Sequence, residues 1–291
     1  MTQVVIEPIR EAAVAGMFYP GEADQLAREV DAMLDGAPEV DLDGEVVGLI
    51  CPHAGYPFSG AMAAAGYGQV RGESYDAVLV MGPSHREPFE GASVFARGGY
   101  ETPLGVVPVD EKLADAILAN GEGDIQVDGV GHRLVSDPFR QGPRGEHALE
   151  VQLPFLQRAV KGLKIVPMVV GHYDLAMCQR MGNAIADAIG GRRVLIVVSS
   201  DLYHGEDVAA CKASDAQTLG VIEALDFEAF AQGVQKRTLQ ACGSGPILTV
   251  MHMAERLRIN CARVIGRTNS SEATGRAGGY VVGYGTVALT R

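Results

Sequence analysis

Three histidines occupy the same place in a recurring local pattern, each just beyond a short apolar run: Gly48-Leu-Ile-Cys-Pro-His53, Val78-Leu-Val-Met-Gly-Pro-Ser-His85 and Leu195-Ile-Val-Val-Ser-Ser-Asp201-Leu-Tyr-His204. Neutral imidazole is the commonest transition-metal ligand, and its second nitrogen is usually oriented by a carboxylate or a carbonyl, a role that Asp201 suits. A lone histidine is ordinarily a hydrogen-bonded structural residue. Three at the ends of apolar runs point instead to a metal site. Cys242, in Gln240-Ala-Cys-Gly-Ser-Gly-Pro246, is the best candidate for a third protein ligand. It precedes a predicted helix over 246–257, whose free N–H groups would lower its thiol pKa and favour thiolate. Cys178, Cys211 and Cys261 read as small buried hydrophobes.

A second polar group lies in Gly145-Glu-His147-Ala-Leu-Glu150-Val-Gln-Leu-Pro-Phe155. A helix predicted over 147–160 places His147 and Glu150 on one face and turns Leu149, Leu153 and Leu156 into the core. Two readings stay open: a capped helix start with solvated acids, or His147 and Glu150 as contacts to substrate or to the ligand histidines. His132, His172 and His252 are assigned to structure or surface. HExxH, GxSxG and P-loop motifs are absent, and Gly283-Tyr-Gly285 lies too near the C-terminus to open a dinucleotide-binding helix. A hydrolase built from Ser200, His204 and Asp201 lacks a nucleophile elbow to frame the serine.

The elements that must position these residues are strands buried on both faces. Apolar runs at 46–51, 77–81, 165–170 and 194–198 have the length and β-branched content of such strands. Pro167 makes the third the least secure, because proline cannot donate to a central ladder. Helical stretches are predicted over 21–34, 59–70, 111–120, 147–160, 173–189 and 205–225, and two closing strands over 263–267 and 280–289. Strand and helix thus alternate as an α/β fold requires, and ligands of such sheets bind at the carboxyl ends of the strands.

The 291 residues, with 36 acidic against 24 basic side chains and a net charge of -12, describe an ordinary globular protein whose field repels phosphate backbones and anionic lipid. Nucleic acid and membrane are therefore not expected as partners. No apolar run reaches the ~18 to 20 residues of a membrane span, and residues 1–10 lack the pattern of a signal peptide. A cytoplasmic location is the expectation. Five cysteines without CxxC spacing argue against a disulfide framework or a zinc knuckle. One α/β domain over 1–291 is expected, since neither repeats nor linkers divide the chain.

Ala15-Gly-Met-Phe-Tyr-Pro20, Pro52-His-Ala-Gly-Tyr56 with Ser59-Gly60, Gly82-Pro-Ser-His85, Thr102-Pro-Leu-Gly105 with Val109-Asp110, Glu146-His147 through Leu153-Pro-Phe155, Ser199-Ser-Asp201 with His204, Cys242-Gly243 and Val282-Gly-Tyr-Gly285 together resemble the MEMO family over nearly the whole chain. That family is similar in fold to the class III extradiol ring-cleaving dioxygenases, which hold a non-haem Fe(II) at the end of an α/β sheet. The resemblance implies a single domain with a mostly parallel or mixed central sheet flanked by helices, and His53, His85 and Cys242 as metal ligands. It implies Asp201 and His204 in the same pocket.

The function expected from these residues is that of a metal-dependent oxidoreductase acting on a small, phenolic molecule. His204, Asp201 and His147 are its catalytic candidates, and Tyr56, Ser84 and Glu150 its substrate contacts. Fe(II) is the expected ion. The dioxygenases use a carboxylate where Cys242 stands here, and a thiolate also suits copper or zinc. The alternative is a metal-binding or peptide-binding module of the same family that does not turn over.

Overall fold

A computed structural model of the chain describes residues 8–127, 129–136, 143–276 and 278–291. Its centre is a mixed sheet built from strands β1 (Val46–Cys51), β2 (Ala77–Pro83), β3 (Ala92–Val94), β4 (Ile125–Val127), β5 (Ile165–Val170), β6 (Val194–Ser199), β7 (His204–Gly205), β8 (Cys261–Asn269) and β9 (Val281–Thr290). The spatial order is β7-β9-β1-β6-β2-β5-β3-β4, with β8 paired to β9 outside that path. The four strands β1, β6, β2 and β5 run parallel, and β3, β8 and β9 pair antiparallel with β5, β9 and β1. The strands of this sheet are drawn from residues 46 to 290, as the α/β reading expects, while Ile9–Arg10, Gly99–Thr102 and Gly105–Pro108 form a separate small sheet.

The parallel strands are buried along almost their whole length because helices cover both faces. One layer holds α1 (Ala23–Asp35), α2 (Tyr56–Gly68) and α4 (Leu153–Ala159). The other holds α3 (Glu111–Asn120), α5 (Leu175–Ile189), α6 (Val208–Glu223), α7 (Phe227–Gln235) and α8 (Ser244–His252). The period-two alternation of a strand sorts the core between them. Leu79 and Met81 face one layer with Ile185 and Ile247, whereas Val78 and Val80 face the other with Leu26 and Phe155. Along α1, Leu26, Val30 and Leu34 recur every four residues, which gives the apolar stripe that meets the sheet. Aspartates accept from the orphan N–H groups at the starts of α3, α5, α6 and α7, namely Asp110, Asp174, Asp207 and Asp226.

The strand predicted at 165–170 forms despite its proline, and two helix starts differ from expectation. Pro167 sits in a strand with neighbours on both sides, and β5 tolerates it because Pro167 faces away from β2. Its carbonyl accepts from Phe95 N, so the missing N–H falls where β3 has already ended at Val94. Helix α2 begins at Tyr56 rather than at 59, because Pro57 in the first turn has its φ preset for a helix. The helix expected over 147–160 begins only at Leu153, after a short 3₁₀ turn over Glu150–Gln152 and with Pro154 in its first turn, so His147 lies on a loop.

Register brings the strand ends level: Ser199 lies opposite Cys51, Val198 opposite Met81, and Val170 opposite Pro83. His53, His85 and Asp201 each stand two residues beyond a strand's last residue, on one edge of the sheet. No helix among the described residues is long and apolar enough to cross a membrane. Leu79 is fully buried at the centre of this sheet. Leu79→Ala is expected to destabilise the fold by about 2–5 kcal/mol in urea unfolding, the usual cost of such a cavity.

Candidate metal centre

Three imidazoles converge at the carboxyl edge of the sheet. Each of His53, His85 and His147 offers a ring nitrogen, and these nitrogens all lie within 4.8 Å of one another. Their ring centroids are 4.8 to 5.3 Å apart. His53 is buried, His147 partly so, and His85 faces the opening.

The hydrogen-bond inventory fixes which nitrogen of His53 carries hydrogen. Ser199 Oγ has a single proton, and it donates that proton to the Ala148 carbonyl at 2.6 Å. It accepts at 2.8 Å from Gln152 Nε2, whose amide is oriented by the Pro52 carbonyl on its nitrogen and by the Tyr67 hydroxyl donating to its oxygen. The remaining contact, His53 Nδ1 to Ser199 Oγ at 2.8 Å, must then be donated by the imidazole. The lone pair of His53 is therefore on Nε2.

Glu146 does the same for His85. Its Oε1 accepts from His85 Nδ1 and from the backbone N–H groups of His147 and Ala148, each at 2.9 Å, and its Oε2 accepts from His85 N at 2.5 Å. Burial alone would raise this carboxyl. The hydrogen bond and charge of His85 outweigh that and hold it well below the usual carboxylate range. A carboxylate behind a ligand imidazole fixes its tautomer and strengthens its basicity.

His147 Nδ1 is buried with no hydrogen-bond partner. Burial, then the neighbouring His53, pushes His147 down to about 3. Burial and then His85 push His53 down to about 3. Glu146 Oε1 lies 3.3 Å from His147 Nδ1 outside hydrogen-bond geometry, and the buried, neutral His53 and His147 fit a bound cation. Phe18, 4.7 Å from the His147 ring, and Tyr19, which donates to Glu150, come from the N-terminal Ala15–Pro20 motif and brace the loop.

The remaining candidates take different places. Cys242 stands outside the three-histidine group. Its Sγ is 3.2 Å from His53 Nε2 and accepts from Asp201 N at 3.1 Å. The sulfur is held there because Gly243 lies against β6, where a Cβ would come within 2.6 Å of the Ser199 carbonyl oxygen. Burial, and after it the Asp201 carboxyl, push this thiol up, opposing the thiolate expected from the start of α8.

Asp201 does not orient His204. Its Oδ1 accepts from the His53 backbone N–H at 2.8 Å, and burial raises its carboxyl to about 6. The exposed His204 is instead oriented by the Leu202 carbonyl on Nδ1 at 2.9 Å, so its Nε2 is the basic nitrogen. His204 and Cys242 line one cavity of about 340 Å³.

Two substrate candidates are structural. Glu150 is fully buried, and its oxygens accept from Arg10 at 2.6 Å, from Tyr19 Oη, and from the N–H groups of Ala13 and Val14. That leaves it no face for a ligand. Tyr56 is a core ring 4.9 Å from Phe155, and its hydroxyl is spent on the Val151 carbonyl. Ser84 donates to the Glu87 carbonyl at 2.6 Å while lining a cavity of about 260 Å³ beside His85. His132, assigned to structure, is buried against Tyr100 and the Ser93 carbonyl. Glu146, Ser199 and Gln152 had no role in the sequence reading, although the Glu146-His147 pair was a visible signal.

The Memo family model, described as Memo-like protein, matches residues 10–288. The chain belongs to the Memo family. Among its relatives, a MEMO1 family protein of Methanosarcina mazei is 33% identical over 96% of this chain and 98% of its own. Others are found in Nitrosopumilus maritimus at 30%, covering 96% and 98%, and in Thermotoga maritima at 31%, covering 84% and 88%. The crystal structure of an uncharacterized Escherichia coli K12 protein superposes with a TM-score of 0.53 at 12% identity, over 82% of this chain and 99% of that one, and shares the fold. The Memo match takes in every residue of the histidine cluster.

Two outcomes follow for this Memo-family site. Glu146→Gln, which keeps the shape and removes the charge behind His85, is expected to weaken metal affinity about 10–100-fold in a competitive chelator titration. The metal-free protein is expected to lose stability as pH falls from 6.5 toward 3. His53 and His147 stay neutral in the fold over that window but take up protons when unfolded. Urea midpoints should drop from pH 7 to 4, and less so in the His53→Gln/His147→Gln double variant.

Proposed function

We propose that this chain is a metal-dependent oxidoreductase that opens phenolic rings with O₂, and that His53, His85 and His147 hold the metal. The observation that carries the reading is the convergence of three imidazoles backed by the buried Glu146 carboxylate. Imidazole sets suit iron, copper and zinc, and iron is the ion of choice for this chemistry. When bound, Fe(II) would bring substrate and O₂ together and supply the electron-transfer path that their spin-forbidden direct reaction lacks. Both oxygen atoms enter the ring-opened product, so no external reductant is consumed.

The protein's own residues supply the rest. His204, with Nδ1 committed to the Leu202 carbonyl, presents Nε2 to take the proton of a substrate hydroxyl and return it later. Ser199 and Gln152 keep the His53 lone pair on the metal side. Asp201 anchors the His53 backbone, and Arg10 pins the Glu146 carbonyl at 2.6 Å.

Anaerobic loading with Fe(II), followed by oxygen uptake on a panel of catechols, tests the proposal. Uptake by the loaded protein is expected. His204→Ala should retain metal and lose about 10²–10⁴-fold in rate, as removal of a general base does. His53→Ala, His85→Ala and His147→Ala should each fail to retain metal. A fully loaded site with no uptake across the panel would refute it.

A second reading is favoured by Cys242. A sulfur 3.2 Å from a ligand nitrogen is a soft group that suits Cu(I). On that reading the site binds copper without turnover, with a stoichiometry that depends on Cys242.

A further inference from the structure

The cavity shared by His204 and Cys242 has a chemistry that the histidine cluster does not explain. Leu202, Val234 and Leu239 give it an apolar wall, and Arg237 stands at its rim. Its volume of about 340 Å³ is at the lower end of small-molecule sites. Beside His204, with ring centroids 6.3 Å apart, Tyr280 is 63% exposed, an aromatic face available to a ligand ring.

Arg237 is exposed and has no carboxylate within ion-pair distance among the described residues. It also occupies a position where glycine would be at ease. Its φ is +57°, at the left-handed turn that ends α7, where Thr238 N donates to the Gly233 carbonyl. A side chain there costs conformational energy that glycine avoids. The carbonyl end of α7 favours a cation here, and this one lines the cavity without a carboxylate partner among the described residues.

We propose that this cavity binds a small aromatic carboxylate, with the ring against Leu202, Val234 and Leu239 and the carboxylate on Arg237. The inference rests on the proposed function for the hydroxyl that His204 deprotonates, and it adds the anionic group that fixes the ring's orientation. A carboxylate matches one guanidinium in charge and in forked geometry. A dianionic phosphate would leave one charge uncompensated by this guanidinium, in a protein of net charge -12.

Calorimetric titration of the metal-free protein with 3-hydroxybenzoate and with neutral 3-hydroxybenzyl alcohol tests this without turnover. The carboxylate should bind at least about tenfold more tightly, the size of one charge-assisted contact. Arg237→Gly should abolish that preference, while its thermal midpoint stays at or above that of the wild type. Arg237→Lys should keep part of the preference. 3-Hydroxyphenyl phosphate should bind less tightly than the benzoate. Equal binding of acid and alcohol, or a preference that survives Arg237→Gly, overturns the inference even if catechols support oxygen uptake. An Arg237-dependent preference in a protein that never consumes oxygen leaves the inference standing and removes the proposed function. Absence of binding by every probe overturns the inference.

Discussion

A carboxylate removed from water has to be met by donors, and Glu146 meets four of them. Two are contributed by His85, one from its ring and one from its backbone, and two by the backbone at the start of the segment that carries His147. One side chain therefore ties together two of the three converging loops, and its charge is the reason that the His85 imidazole presents a lone pair to the centre. Without it, residues from opposite parts of the chain would have no common reference point.

The sheet supplies the coarse placement and the polar contacts the fine one. Parallel strands with level ends deliver His53, His85 and Asp201 to one edge, a consequence of register and of helices on both faces. Strand ends alone would leave each imidazole free to rotate. The buried acceptors and donors behind the rings select a rotamer and a tautomer for each, and this is the pre-organisation that a metal site requires.

Much of the frame was legible in the sequence. Runs such as 194–198 are too apolar and too short for anything but a covered strand, and the histidines just beyond them were a positional signal. The helix predicted over 111–120 forms with those bounds, and Asp110 caps it. What failed was local context. Spacing put His147 and Glu150 on one helical face, but Pro154 delays that helix and Glu146 captures the N–H groups before it, so His147 joins the other imidazoles and Glu150 turns to Arg10. Tyr56 was expected as a substrate contact, yet at the start of α2 its ring packs against Phe155. Ser199 and Gln152 were invisible because their partners lie 47 or more residues away.

Tyr67 sits on α2, in the helix layer rather than among the loops, yet its phenol is the first link of the line through Gln152 and Ser199 to His53. Each link in that line allows one direction of donation only. Which nitrogen of His53 stays free is thus inherited from a hydroxyl in the scaffold, and a change there would reach the imidazole cluster while its three histidines stay the same.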